Sequence, residues 1–330
     1  KSSAEGAIGA DGKVGKQGGK VVLTAAVEVE DKQYEYDFDL TTLGLVAHYT
    51  FDVGIVDGFI PDASGNGNDA QVINNEAEFT VENGQAKFPG YPQDSKLGAA
   101  LKMPRSVPSA MTGSWTASMW VKQDPTYRTD KAIVFFDFGS GNFNRLFVQT
   151  QNATVIMQDR GGAGSRVIQT ADIANQFKDT WRHFVVSVDV ETGVANWYLD
   201  GQLVETIMDS GAKWTAVNSP ARYAAAFNQY AAYIGRNQWH ADGGQMNGNP
   251  DYKGYMDDIR FYNYAISADE VLEIYEQKAP GAATVKVEYV TEDGEELKES
   301  ETINPGLFAG DSYTLTNAPA ELVKDDVIYI

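Results

Sequence analysis

From Leu45 to Tyr264 the chain keeps repeating one pattern, a short alternating run of apolar and polar residues followed by a cluster of Gly, Asn or Asp. The runs are "LVAHYTF", "SWTASMWVK", "KAIVFFDF", "NRLFVQTQ", "TVIMQD", "RHFVVSVDV", "ANWYLDGQLVETI", "AAYIGR" and "YMDDIRFYNY". A period of two puts alternate side chains on one face, and short runs closed by turn residues are strands. About ten such strands with little helix between them predict an all-β, antiparallel β-sandwich. Asp200-Gly201 in "LDGQL" is the sharpest hairpin signal, because a two-residue turn needs φ > 0 at both positions. One short helix is expected at "SADEVLEIYEQ". Ser267 and Glu270 form its capping box, and Val271, Leu272 and Tyr275 its apolar stripe.

The flanks read differently. Residues 1–43 open with a Gly/Lys/Ala/Ser segment and continue as "KVVLTAAVEVEDKQYEYDFDLTTL". There Val21, Leu23, Ala25, Val27 and Val29 share one face of a strand, and Tyr34, Tyr36, Phe38 and Leu40 begin a second. An isolated hairpin is marginal in water, so this piece leans on the next domain or belongs to a larger one. "KAPGAA" is a linker, and "TVKVEYVTEDGEELKESETI" after it reads as a hairpin turning at Asp293-Gly294. The expected division is 1–43, 44–278 and 279–330. With Lys1 first, no leader segment and a last stretch "VIYI", the chain reads as a slice of a longer protein.

Charge and motifs exclude several functions. The chain has 26 basic and 46 acidic side chains, a net charge of −20, which repels nucleic acid and anionic lipid and attracts divalent cations. No apolar run approaches the roughly 20 residues of a spanning helix, so no membrane insertion is expected. The absence of cysteine removes disulfides, thiolate metal sites and thiol nucleophiles. There is no G-x-S-x-G elbow, H-E-x-x-H pair, phosphate-binding loop or complete G-x-G-x-x-G. His48, His183 and His240 are scattered, and the first two lie in strand patterns that favour packing over catalysis.

Two stretches remain as candidate sites. "FDVGIVDGFIPDASGNGNDA" (51–70) is dense in oxygen ligands and Gly, which suits either a hard cation or a solvated Asx-turn. Asp62, Ser64, Asn66 and Gly67 match the first half of an EF-hand loop, but position twelve is Ile73 and no EF-hand is present. "GRNQWHADGGQMNGNPDYKG" (235–254) offers Arg236, Gln238, Trp239, His240, Asp242 and Tyr252, a set suited to stacking on and hydrogen-bonding a sugar. Arg145, Gln149 and Gln158 form a second polar group on neighbouring strands, directed at a concave sheet. Trp115, Trp120, Trp181 and Trp197 lie in strand motifs and are core candidates, whereas Trp214 and Trp239 sit in polar loops that do not require burial.

The ordered set "GLVAHYTFD", "DASGNGNDA", "SWTASMWVK", "TWRHFVVSVD", "WYLDGQLV", "YIGR" and "YKGYMDDIRFYNYAISADEV" resembles the laminin-G-like, concanavalin A-like jelly-roll modules of secreted bacterial proteins over roughly 230 residues. "IGADGKVGKQGGKVVLTAAVEVEDKQYEYDFDL" resembles half of a bacterial Ig-like domain, and "TVKVEYVTEDGEELKESETINPGLFAGDSYTL" resembles the mucin-binding-type repeats of Gram-positive surface proteins. The resemblance implies an extracellular or cell-wall-attached monomer that binds glycan or polysaccharide, beside a tethered catalytic domain in a glycoside hydrolase. It implies no catalysis within these residues, since the E-x-D-x-x-E run of β-glucanases on this fold is missing. It also implies structural calcium at Asp52, Asp62, Asn66, Asn68 and Asp257, with Arg260 as a rival partner for Asp257 or Asp258. The alternatives are an adhesion module for host or cell-surface glycoproteins and a structural spacer.

Overall fold

The computed structural model describes residues 19–29, 32–74, 77–91, 98–126, 131–140, 144–161, 166–206, 213–226, 232–236, 251–278, 285–291, 293–303, 321–324 and 327–329. A hairpin of β1 (Gly19–Val29) and β2 (Lys32–Thr42) comes first. The first large sheet runs in spatial order β16 (Gln202–Thr206), β15 (Val194–Leu199), β14 (Arg182–Asp189), β9 (Trp115–Gln123), β18 (Asp251–Tyr262), β7 (Gln85–Tyr91) and β6 (Thr80–Glu82). Strand β3 (Leu45–Tyr49) pairs with the second half of β18, beyond the part taken by β7. The second sheet runs β13 (Arg166–Ala171), β12 (Thr154–Gly161), β11 (Asn144–Gln151), β10 (Ile133–Ser140), β17 (Ala232–Ile234), β8 (Ala100–Met103), β5 (Ala70–Ile73) and β4 (Phe59–Ile60). All the named strands pair antiparallel, as in a concanavalin A-like jelly roll. Two short pairs follow, β19 (Val285–Val290) with β20 (Glu296–Ile303) and β21 (Leu322–Lys324) with β22 (Val327–Tyr329).

Alternation decides what lies between the sheets. Trp115, Ala117, Met119 and Val121 of β9 face inward with Phe184, Val186 and Val188 of β14, and all are buried. Phe136 and Phe138 come from the opposite sheet, where a bulge after Val134 shifts the register of β10. Edge-to-face contacts cross the layer, with Trp115–Phe136 centroids at 6.2 Å and Phe136–Phe261 at 5.6 Å. Each such ring stabilises the sandwich by about 1.5–3 kcal/mol through burial.

Local sequence signals account for the connections. Asp200 and Gly201 have φ of 50° and 76°, as a two-residue hairpin turn between β15 and β16 requires. A side chain at 201 would also press on Leu272 and Tyr275. The helix at Ala268–Lys278 (α3; α1 is Ser106–Ala110 and α2 Ala221–Ala226) starts with a complete capping box. Ser267 N–H donates to Glu270 Oε2 at 2.7 Å, and Glu270 N–H donates to Ser267 Oγ at 3.3 Å. The buried stripe is Val271 and Ile274, while Leu272 is 38% exposed, so Leu272 does not belong to it. It lies at the edge of the helix footprint, beside Gly201 of the β15–β16 turn.

Two further expectations are corrected. Trp214 is buried in the core although its neighbours are polar. Its backbone N–H donates to Gly193 O at 3.2 Å, which draws the ring in beside the β14–β15 turn. Tyr252 is fully buried as well, because β18 begins at Asp251 and its second residue points inward. The Tyr252 ring packs edge-on against Phe88 and Phe135, and burial pushes its hydroxyl pKa well up. It is a core residue and touches no ligand face.

Candidate functional site

The acidic loop is an internally satisfied turn. Asp62 Oδ1 accepts the backbone N–H of His48 and of Ser64, each at 2.9 Å. Asp62 Oδ2 accepts Asn68 N–H at 2.9 Å and Ser64 Oγ–H at 2.8 Å. Asn66 and Asn68 aim their amide nitrogens at the Val46 carbonyl, at 3.1 and 2.8 Å, and Asn66 also donates to Leu45 O. The loop thus anchors β3, with Tyr49 donating its hydroxyl to Asn68 O at 2.8 Å. Among the described residues no group of three or more His, Asp or Glu is placed to hold a metal ion. Ser106 Oγ–H donates to Asn68 Oδ1, so Asp62 and Asn68 are both engaged by protein partners in this loop. Asp52 and Asp257 stand elsewhere. Asp52 is exposed just beyond β3, and Asp257 precedes the stretch of β18 that pairs with β3, so antiparallel register brings both to one end of that ladder. Asp257 Oδ1 accepts Asp258 N–H at 2.7 Å.

Asp258, beside it, is held by two basic side chains. His48 Nε2 lies 2.5 Å from Asp258 Oδ1 and Arg260 Nη2 3.0 Å from Oδ2. Burial pulls the Arg260 pKa down, but Asp258 and Tyr262 outweigh it and the net shift is upward. Arg260 is therefore the partner of Asp258. His183 is packed, with its Nε2 2.8 Å from Ser118 Oγ and its ring beside Trp120 and Tyr275. Burial holds its pKa down to about 3, so the imidazole is neutral.

The second sheet turns a polar face away from the core. Register aligns one row straight across it, Phe59–Gln71–Lys102–Tyr233–Asp137–Phe147–Gln158–Ile168. Adjacent rows carry Arg145 opposite Arg160, and Gln149 opposite Ile156. Arg145, Gln149 and Gln158 do share this face, as the strand patterns implied, but all three are buried. Arg145 Nη2 pairs with Asp137 Oδ2 at 2.7 Å, and its guanidinium lies 3.9 Å from the Phe147 ring centroid. Burial lowers the Arg145 pKa in spite of Asp137.

The other half of the row is open. Phe59 is 40% exposed, Gln71 is exposed, and Lys102 and Tyr233 are half-buried. Arg236 flanks them, its guanidinium 5.8 Å from the Tyr233 ring and its Nη2–H donating to Gly98 O at 3.4 Å. Aromatic faces beside amide and cationic donors can stack on a pyranose and hydrogen-bond its hydroxyls. Of the predicted ligand residues only Arg236 belongs to this open half, while Trp239 and His240 lie outside the described residues. Phe59, Gln71, Lys102 and Tyr233 were missed, since each looks unremarkable until register aligns four separate strands. The signal available was parity, because Gln71 and Tyr233 sit at the outward positions of "AQVI" and "AYI".

A sandwich with one sealed and one polar outer face defines a lectin-like jelly roll. The chain belongs to the concanavalin A-like lectin/glucanases superfamily, whose model matches residues 96–272. Residues 284–323 match the MucBP domain. No curated protein matches the chain. It is similar to the binding domain of botulinum neurotoxin DC solved with rat synaptotagmin II, with a TM-score of 0.50 at 11% identity over 77% of this chain and 55% of that one. The botulinum neurotoxin serotype G binding domain gives 0.49 at 14% identity, over 70% of this chain and 50% of that one. Domain 4 of AbnA, a GH43 extracellular arabinanase from Geobacillus stearothermophilus solved with arabinotriose, gives 0.43 at 19% identity, over 71% and 98%. This chain spans about half the length of the neurotoxin domains, and likeness at these identities shows the fold alone.

Proposed function

We propose that the protein is a non-catalytic glycan-binding module of a secreted, multimodular polysaccharide-degrading enzyme from a Gram-positive bacterium. The observation that carries the reading is the open half-row Phe59, Gln71, Lys102 and Tyr233 with Arg236 beside it, on the outer face of a lectin-type sandwich. The buried carboxylates support a non-catalytic role. Arg145 holds Asp137, Asn218 and Tyr223 hold Asp159, and His48 and Arg260 hold Asp258. Glycoside hydrolysis needs two carboxylates free to face one scissile bond. The module would act by effective concentration, keeping a tethered catalytic domain near its substrate outside the cell or on its wall. Millimolar binding, about −4 kcal/mol, is enough for that. The MucBP match supports a surface setting, and the division at 43/44 and 278/279 goes with it.

The test is a glycan-array and titration comparison of the whole chain with Tyr233→Ala. The reading expects sugar binding that falls at least tenfold in the variant while the melting temperature shifts only slightly. Binding that survives the substitution removes the site. A protein-binding, adhesive role is favoured by one other observation, that Val53, Ile55 and Val56 on the loop after β3 and Phe59 at the start of β4 are all exposed. A structural calcium held by Asp52, Asp62, Asn66, Asn68 and Asp257 would tie the first and last strands together beside the Asp52–Asp257 end of the β3–β18 ladder. Chelation should then lower the melting temperature, and Asp52→Asn should abolish that sensitivity.

A further inference from the structure

The outer face of the second sheet has a charge opposite to that of the chain. Of the described side chains on strands β8, β10 to β13 and β17 that point outward, plus Arg236, the basic ones are Lys102, Arg145, Arg160 and Arg236. The acids against them are Asp137, paired to Arg145, and Asp251, which lies against Gly98 beside the Arg236 contact. Four against two gives a net of +2 on this face, in a protein of net charge −20. Arg160 stands directly opposite Arg145 in the β11–β12 register, and its charge adds to burial in lowering the Arg145 pKa. Register places Arg160 and Lys102 four strand steps apart, across β12, β11, β10, β17 and β8. At about 4.8 Å a step this is roughly 19 Å, the span of several sugar rings and far beyond a single small anion.

We propose that the ligand of this face is an anionic glycan, a polysaccharide carrying carboxylate or sulfate groups, with Lys102, Arg160 and Arg236 meeting the anions and Tyr233 the ring faces. The proposal rests on the glycan-binding reading above. A guanidinium matches the planar geometry of a carboxylate or sulfate edge, and a locally positive face in an acidic chain selects charged over neutral sugars. The other acidic surfaces repel such a polymer, which confines it to this face.

The whole chain is titrated with polygalacturonate, heparin, linear arabinan and a β-glucan at low and at raised salt. The expected result is binding to polygalacturonate, heparin or both, at least about tenfold tighter than to the neutral polymers and weakening several-fold as salt rises. Which of the two polymers binds separates carboxylate from sulfate recognition, and either supports the proposal. Lys102→Gln and Arg160→Gln should each weaken anionic binding about threefold, with thermal melts confirming that the variants fold. Binding to neutral polymers as tight as to anionic ones, independent of salt, overturns the anionic assignment and leaves glycan binding standing. Absence of binding to all four polymers overturns both.

Discussion

The outer faces of the two sheets follow the same strand alternation and have opposite fates. On the first sheet Trp120, His183, Val185, Tyr198 and Tyr262 face outward and are covered by Ile266, Val271, Ile274 and Tyr275 of α3 and its approach. Small hydroxyls fasten that cover. Thr116 Oγ1–H donates to Tyr264 O at 2.8 Å, and Ser187 Oγ–H donates to Ile266 O at 3.2 Å. On the second sheet polar and charged residues share the outer face with Phe59, Phe147, Ile156 and Ile168, the buried Arg145–Asp137 pair occupies one half, and the other half is open. A face that carries its own helix is spent on stability, whereas a face that keeps polar side chains without such a cover is available to a ligand.

The largest expected effect breaks the sealed face. Trp120→Ala should cost about 3–5 kcal/mol in urea unfolding, because a fully buried ring stacked on Tyr275 leaves a cavity. Tyr233→Ala on the open face should cost less than about 1 kcal/mol. Equal losses would end the contrast. Next, Arg145→Met should destabilise by about 3 kcal/mol, since it strands the buried Asp137 carboxylate. Adding Asp137→Asn should recover most of that loss, and a neutral single variant would mean that this half of the face is not desolvated.

A smaller effect follows from His183. Its folded pKa of about 3 lies below the ordinary 6.5, so between those values the unfolded chain binds more protons than the folded one. Stability contributed by the neutral ring is complete above pH 6.5 and drains as pH falls toward 3, at up to about 1.4 kcal/mol per pH unit. Chemical denaturation from pH 7 to pH 4 should reveal this slope, and His183→Gln should flatten it. The smallest effect is the loss of the α3 cap. Glu270→Ala should cost about 1 kcal/mol and expose Val271 slightly to exchange.

Much of the sandwich was legible because its strands are long enough for parity to show. The strings around β9, β14 and β18 alternate over eight residues or more, and the Asp200-Gly201 turn and the Ser267–Glu270 box act over a few residues of chain. Strands β4, β5, β6 and β8 have two to four residues, too few for alternation to identify a strand before its partners are known. The site depended on those short strands. Phe59, Gln71 and Lys102 come from β4, β5 and β8, and only their pairing brings them into line with Tyr233. The acidic loop was ambiguous for another reason. Oxygen count alone does not say whether Asp62 faces a cation or a backbone amide; in the fold its carboxylate accepts the backbone N–H groups of His48 on β3 and of Asn68. Tyr252 was misplaced by a boundary, since a strand beginning at Asp251 turns a loop tyrosine into a core one.

Backbone amide hydrogen exchange of the whole chain, with and without a saturating oligosaccharide, tests the open face directly. Slowed exchange should concentrate in β8 and β17, around Lys102 and Tyr233, with α3 and the 61–69 loop unchanged. Protection of α3 or of that loop, with β8 and β17 unaffected, would contradict the assignment of the second sheet as the binding surface.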